Sequence, residues 1–268
     1  MIHLAAGTQD QLQRWRLQRD GEPIHGPDSR VLAVRTSEGV PAILKITTAA
    51  DAEHEHLVLR RWGGDGAVRL LSADPPHRAV LLERLSERSL QTLPDVEACE
   101  VVAGLYRRLH VAAMPQLRTL TGYLDQWVSE FEVLPRSAPL PHRLVEQATA
   151  LARDLAEEPC GVVVHGNLHY ANVLAGEREP WLATAPRPVN GDSPYELAPM
   201  LWHRWDELAG SIRDGVRRRF HTLVDLAGVD EEKARAWVLV RVVRHAAAEL
   251  ADAANVTKCV AVAKAVQG

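Results

Sequence analysis

Three cysteines, Cys99, Cys160 and Cys259, are too few and too scattered in 268 residues to staple a fold or ligate a metal. An odd number at that spacing points to buried, reduced thiols and a cytoplasmic protein. Long apolar runs are missing too: none approaches the length a membrane-crossing helix needs, and the N-terminus has no basic-then-apolar leader pattern. Neither sign of charge dominates. A net charge of −4 argues against a nucleic-acid partner, and the one basic triplet, Arg217-Arg218-Arg219, reads as a solvated helix turn. Histidines are plentiful, yet no His-x-x-x-His pair stands beside a third ligand, which argues against zinc. What remains is an ordinary globular composition, 46% hydrophobic and 25% charged, with enough chain for two lobes.

Apolar Leu4, Leu12, Trp15 and Leu17 predict a short amphipathic helix over about 8–19, broken by Gly21, Pro23, Gly26 and Pro27. Residues 29–46 read as a β-hairpin turning at Ser37-Glu38-Gly39. Lys45 lies inside the second apolar strand, where an ammonium must snorkel to water or find an anion. A helix over 51–62 follows, carrying Glu53 and Glu55. The turn Gly63-Gly64-Asp65-Gly66 precedes a strand over 67–71 instead of opening a helix, so it is weak as a phosphate cradle. After another strand over 79–85 the composition turns helical. Helices are expected over 96–110, 117–133, 144–156, 195–208 and 211–227, then from 231 to the end with a break near Asn255.

The most informative stretch lies between the aliphatic runs Val162-Val163-Val164 and Val173-Leu174. Two strands there hold a polar loop with two histidines, two asparagines and a glycine, the kind of place where chemistry is put. The loop, His165-Gly166-Asn167-Leu168-His169-Tyr170-Ala171-Asn172, is similar to the catalytic loop of aminoglycoside phosphotransferases, His-Gly-Asp-Leu-His-x-x-Asn. Downstream, Thr184-Ala185-Pro186-Arg187-Pro188 and Gly191-Asp192-Ser193-Pro194-Tyr195-Glu196-Leu197-Ala198-Pro199 resemble that family's Ile-Asp-Pro-Lys-Pro and Gly-Asp-Pro-x-Tyr-Asp/Glu-Leu-Ala-Pro. Together with Ala67-Val68-Arg69-Leu70-Leu71, they point to the streptomycin and hydroxyurea phosphotransferase branch, from about residue 30 to the C-terminus.

This resemblance implies an α+β, bilobal protein-kinase-like fold, with a small β-rich lobe over 1–86 and a larger, mostly helical lobe over 87–268. Ala42-Ile43-Leu44-Lys45 then matches Val-Ala-Ile-Lys, with Lys45 on nucleotide phosphates and Glu55, or alternatively Glu53, paired to it. Glu83 and Leu85 would border the adenine. A small molecule would occupy the interlobe cleft, between Lys45 and Glu55 on one wall and His165, Asn167, His169 and Asn172 on the other. No nucleic acid or membrane is expected as a partner, and the oligomeric state is left open.

Two positions depart from the family pattern. Asn167 stands where the family has its proton-accepting aspartate, and an amide positions a hydroxyl without taking its proton, a loss of ~10²–10⁴-fold. Ala185 stands where the family has its main magnesium ligand, and a methyl group cannot coordinate a hard cation. Asn172 is left as a vestigial metal ligand, while Asp192 and Glu196 take scaffold roles. Arg187 in place of lysine, with His203 and His245 where asparagines are expected, marks drift beyond those two sites.

The expectation is a phosphotransferase-like protein deficient in ATP-dependent transfer and without a resident cofactor. It would bind or transform another small molecule, by non-phosphoryl chemistry in specialised metabolism, with His169 as the candidate acid or base and His165 ordering the loop. The alternative is a genuine or deliberately inactivated antibiotic phosphotransferase, and only there do ATP and magnesium enter.

Overall fold

The computed structural model describes residues 2–26 and 28–268, with backbone alone over 2–6. Pro27 and the side chain of Leu4, both used above, lie outside the described residues.

The first helix, α1 (Ile2–Arg14), begins and ends earlier than its apolar spacing suggests. Arg16 turns the chain with a left-handed φ of 51°, and Gln18–Arg19 become strand β1 instead of a last helical turn. There follow β2 (Ile24–His25), β3 (Ser29–Arg35), β4 (Pro41–Thr47), α2 (Glu55–Trp62), β5 (Leu70–Asp74) and β6 (Ala79–Glu83). They form one antiparallel sheet in the order β1-β3-β4-β6-β5, with β2 also on β3. Alternation along β3 and β4 puts Leu32, Val34, Ala42, Leu44 and Ile46 on one face, where Leu12 and Leu17 close over them. Lys45 therefore projects from the opposite face. The strand expected over 67–71 is displaced because Ala67 and Val68 are claimed elsewhere, by Ala183, so β5 starts only at Leu70.

The chain then builds α3 (Asp95–Leu109), α4 (Leu120–Glu132), α5 (His142–Ala156) and β7 (Val162–Val164). After the loop come β8 (Val173–Leu174) and β9 (Leu182–Ala183), which pair with each other, and β10 (Val189–Gly191), which pairs antiparallel with β7. Helices α6 (Ala198–Trp202), α7 (Ile212–Ala227), α8 (Glu231–Ala248) and α9 (Ala253–Gln267) complete it. Side-chain caps set three helix starts: Thr119, Asp230 and Asp252 accept from the backbone of Gly122, Lys233 and Asn255. The last cap also places the break between α8 and α9 just before Asn255.

Two expectations are corrected here. The helix read over 195–208 is interrupted: 3-10 turns flank the five-residue α6, and Arg204 adopts a left-handed φ of 52°. The triplet 217–219 is not wholly solvated. Arg219 is 1% exposed on the face of α7 turned towards α3, with its guanidinium 2.8 Å from the Asp95 carboxylate and donating to the carbonyls of Met200 and His203.

The chain divides into two compact units, Met1–Ser89 with Val173–Pro188, and Leu90–Asn172 with Val189–Gly268. The boundary read near Glu87 lies close to the first crossing, but residues 173–188 belong to the first unit, not the second. No helix among the described residues is long and apolar enough to cross a membrane.

Candidate functional site

In the first unit, Lys45 Nζ donates to both oxygens of Glu55, at 2.7 and 2.8 Å. The Glu55 side chain is 2% exposed and that of Lys45 12%. Burial pushes the Glu55 carboxyl above its ordinary value, while the Lys45 charge pulls against that shift. Glu53, the other candidate partner, is exposed and lies 3.9 Å from Arg78.

Glu83, at the end of β6, has its side chain engaged within the first unit. Its carboxylate accepts from the Arg69 backbone at 2.7 Å and from Arg178 Nε and Nη2 at 3.0 and 2.6 Å. Arg178 also donates to the carbonyls of Gly64 and Ala67, at 2.6 and 2.7 Å. The side chain of Glu83 is thus committed to a knot that ties the glycine turn to the sheet. Leu85, past the end of β6, is half-buried with its side chain close against Gly176.

Ala185 is half-buried and has a φ of +53°. A residue with a Cβ loses roughly 1–2 kcal/mol there, and asparagine or aspartate tolerates the conformation better. The backbone there has a shape that an asparagine or aspartate would fit more easily than the alanine present. Two residues on, Arg187 pairs with Asp51 at 2.9 Å, both about half exposed.

In the second unit the loop over 165–172 leaves β7 under tight backbone control. Glu196, fully buried, accepts from the backbone N–H groups of His165 and Gly166. Burial pushes its carboxyl up to about 7. Glu196 therefore ties the loop down, whereas Asp192 is spent on α8, accepting from Trp237 Nε1 at 2.9 Å and lying 3.0 Å from Lys233 Nζ. His110 lies 3.9 Å from Glu196 and is pushed down to about 4 by burial.

Within the loop, buried His165 accepts from the Asn167 N–H through Nδ1 at 3.3 Å, an ordering contact. Asn172 Nδ2 donates to the Asn167 carbonyl at 2.8 Å and sits 3.0 Å from His169 Nε2. His169 in turn stacks on His203, with ring centroids 3.8 Å apart and an interplanar angle of 10°. Asn167, His169 and Asn172 thus form one connected polar set, in which the amide and imidazole groups carry no formal negative charge. No three His, Cys, Asp or Glu among the described residues are grouped to hold a metal. A hard divalent cation wants carboxylate oxygens, so magnesium does not fit the loop's amide and imidazole donors.

Sequence reasoning missed Arg178, Arg241 and Lys258. Arg241 on α8 donates to the carbonyls of Tyr195 and Gly166, at 2.8 and 3.2 Å, bracing the loop from behind. Local sequence does not mark Arg178 or Arg241, since the carbonyls and the Glu83 carboxylate they bind lie far along the chain, and Lys258 stands out only through the helices packed around it.

Comparison with known proteins agrees with this architecture. The family model described as aminoglycoside/hydroxyurea antibiotic resistance kinase matches residues 14–253. A streptomycin 6-kinase from Streptomyces glaucescens is 37% identical, covering 99% of this chain and 90% of its own. A hydroxyurea phosphotransferase from Kitasatospora aureofaciens is 38% identical, over 90% of this chain and 72% of its own. Among solved structures, a thermostable mutant of aminoglycoside phosphotransferase APH(4)-Ia, in a ternary complex with AMP-PNP and hygromycin B, superposes with a TM-score of 0.65 at 17% identity. It covers 97% of this chain and 98% of its own. That likeness establishes the bilobal kinase-like α+β fold, and the sequence matches establish the kinship: the chain belongs to the aminoglycoside/hydroxyurea antibiotic resistance kinase family, in its streptomycin and hydroxyurea branch.

Proposed function

We propose that this protein is a family member that has given up efficient phosphoryl transfer and now binds a small molecule, or transforms it by other chemistry. The observation that carries this reading is the joint absence of carboxylates at Asn167 and Ala185 from a chain that keeps the rest of the loop pattern, His165-Gly166 and Leu168-His169 with Asn172. Losing a positioned general base costs ~10²–10⁴-fold. Losing a metal ligand removes stabilisation of the phosphoryl charge, and the two losses overlap because they serve one transition state.

Lys45 and Glu55 retain a desolvated cation suited to a phosphate or another anion. Asn167 is left to orient a bound group by hydrogen bonding, and His169 to exchange a proton with it. The test is γ-phosphate transfer from Mg·ATP to streptomycin and to hydroxyurea, the acceptors that the relatives' names supply. The wild-type chain is expected to run at least ~10²-fold below an active kinase of the branch assayed beside it. Turnover at the active kinase's rate overturns the reading. In parallel, a thermal-shift screen is expected to find a metabolite that raises the melting temperature without magnesium.

A further inference from the structure

Beside the loop, within the second unit, cationic and imidazole groups collect with few carboxylates to answer them. His169 lies flat on His203, which follows α6. Lys258 of α9 is close enough to both His203 and His245 of α8 that its charge, added to their burial, holds both below the ordinary imidazole value, His203 at about 4. Trp202 stacks on His245 at 4.8 Å, and the Arg241 guanidinium lies 5.5 Å from the Trp202 ring while holding the loop at Gly166. The cluster is therefore continuous with the loop.

Several donors in this cluster have no acceptor among the described residues. Half-buried Lys258 makes no ion pair or hydrogen bond, and the ring nitrogens of half-buried His203 bond to nothing. Asn255, one turn before Lys258, is 5% exposed with Nδ2 unbonded, while its side chain meets His245. Of these groups Asn255 Nδ2 is the buried one, and a buried donor left unmatched is expensive unless a ligand matches it, while Lys258 and His203 are placed to reach the same ligand from the solvent side. Of the other charges nearby, Arg219 is neutralised by Asp95, Arg241 has no carboxylate ion pair among the described residues, and Glu249, beside His245, and Asp252, which with Glu249 faces Cys259 next to Lys258, are exposed.

We propose that His203, His245, Asn255 and Lys258 receive the anionic group, carboxylate or phosphate, of a small molecule seated against the loop. This rests on the small-molecule reading above and names its ligand class. It also sets the chain apart from a binder of streptomycin, whose guanidinium groups would meet Lys258 and the imidazoles as like charges. A bound anion reverses the local field, so His203 and His245 take up protons when it binds near pH 6.

The experiment is calorimetric titration of the full chain at pH 6 with citrate, inorganic phosphate and magnesium-free ATP, in two buffers of different ionisation enthalpy. Binding with net proton uptake is expected, weakened at least ~10-fold by Lys258→Met, as befits a lost charged hydrogen bond. The solvent-accessible change His203→Gln is expected to reduce the proton uptake, and it keeps the test open if Lys258→Met fails to fold. Citrate and phosphate binding would mean that a free anion suffices. ATP binding alone, dependent on Lys258, would place a nucleotide phosphate there, and either result supports the site. Anion binding indifferent to both substitutions, no anion binding, or stabilisation by streptomycin instead, overturns it. The phosphoryl-transfer assay reads the preceding proposal separately.

Discussion

The Lys45–Glu55 pair is a buried ion pair, whereas the loop over 165–172 carries amides and imidazoles and no carboxylate of its own. The difference follows from what each substitution strands. Glu55 is 2% exposed and Lys45 12%, so replacing either leaves a buried charge without its partner. Asn167 is half-buried and its backbone makes contacts within the loop, so the choice of side chain there costs folding little. Chemistry drifts where stability does not object. Stability alone is reason enough to keep the pair, whatever reaction the loop supports.

The largest expected effect tests that asymmetry directly. Glu55→Ala should cost ~3–5 kcal/mol in urea unfolding, because it leaves the Lys45 ammonium uncompensated, and Lys45→Met with Glu55→Leu should recover most of it. Asn167→Ala should cost under ~1 kcal/mol. Equal costs for Glu55→Ala and Asn167→Ala would break the comparison.

Next comes the carboxylate under the loop. Glu196, raised from 4.5 to about 7 in the folded protein, binds its proton more tightly there than in the unfolded chain. Its contribution is thus present in full below the unfolded value and is lost as pH rises through 7. Glu196→Gln keeps the acceptor for His165 and Gly166, and should raise stability at pH 8 by ~2 kcal/mol, with no gain at pH 4.5. His110, lowered from 6.5 to about 4, works in the opposite sense, its contribution fading as pH falls below 6.5. Unfolding midpoints measured across pH 4.5 to 8 in both forms check the sign.

A smaller gain is expected at Ala185, where Ala185→Gly relieves the left-handed backbone by about 1 kcal/mol, visible as a raised melting temperature. At the bottom of the scale, Arg187→Ala removes an ion pair with Asp51 whose members are about half exposed. It should cost under ~0.5 kcal/mol, and less still in high salt.

Strong local patterns were legible early. Alternating apolar residues announced β3 and β4, and the helical spacing of Val102, Leu105, Tyr106 and Leu109 announced α3. Lys45 and Glu55 were both named, although which glutamate pairs was settled only when Glu53 turned to the surface. The polar loop was recognisable from its eight residues. The role of the Glu83 carboxylate was not legible, because Arg178, its partner, lies 95 residues on. The helix over 195–208 misled because Pro194 and Pro199 restrict the backbone locally in ways that periodicity ignores.

The amino-acid sequence by itself determined the family, the strand and helix inventory, and the absence of carboxylates at 167 and 185, all of which are properties of residue type and short-range order. Only the tertiary structure decided that Glu196 holds the loop, that Arg219 is buried against Asp95, and that His203, His245 and Lys258 share one neighbourhood. Those facts depend on helices distant in sequence being packed side by side, and burial then gives each charge a cost or a partner that its neighbours in the chain do not reveal.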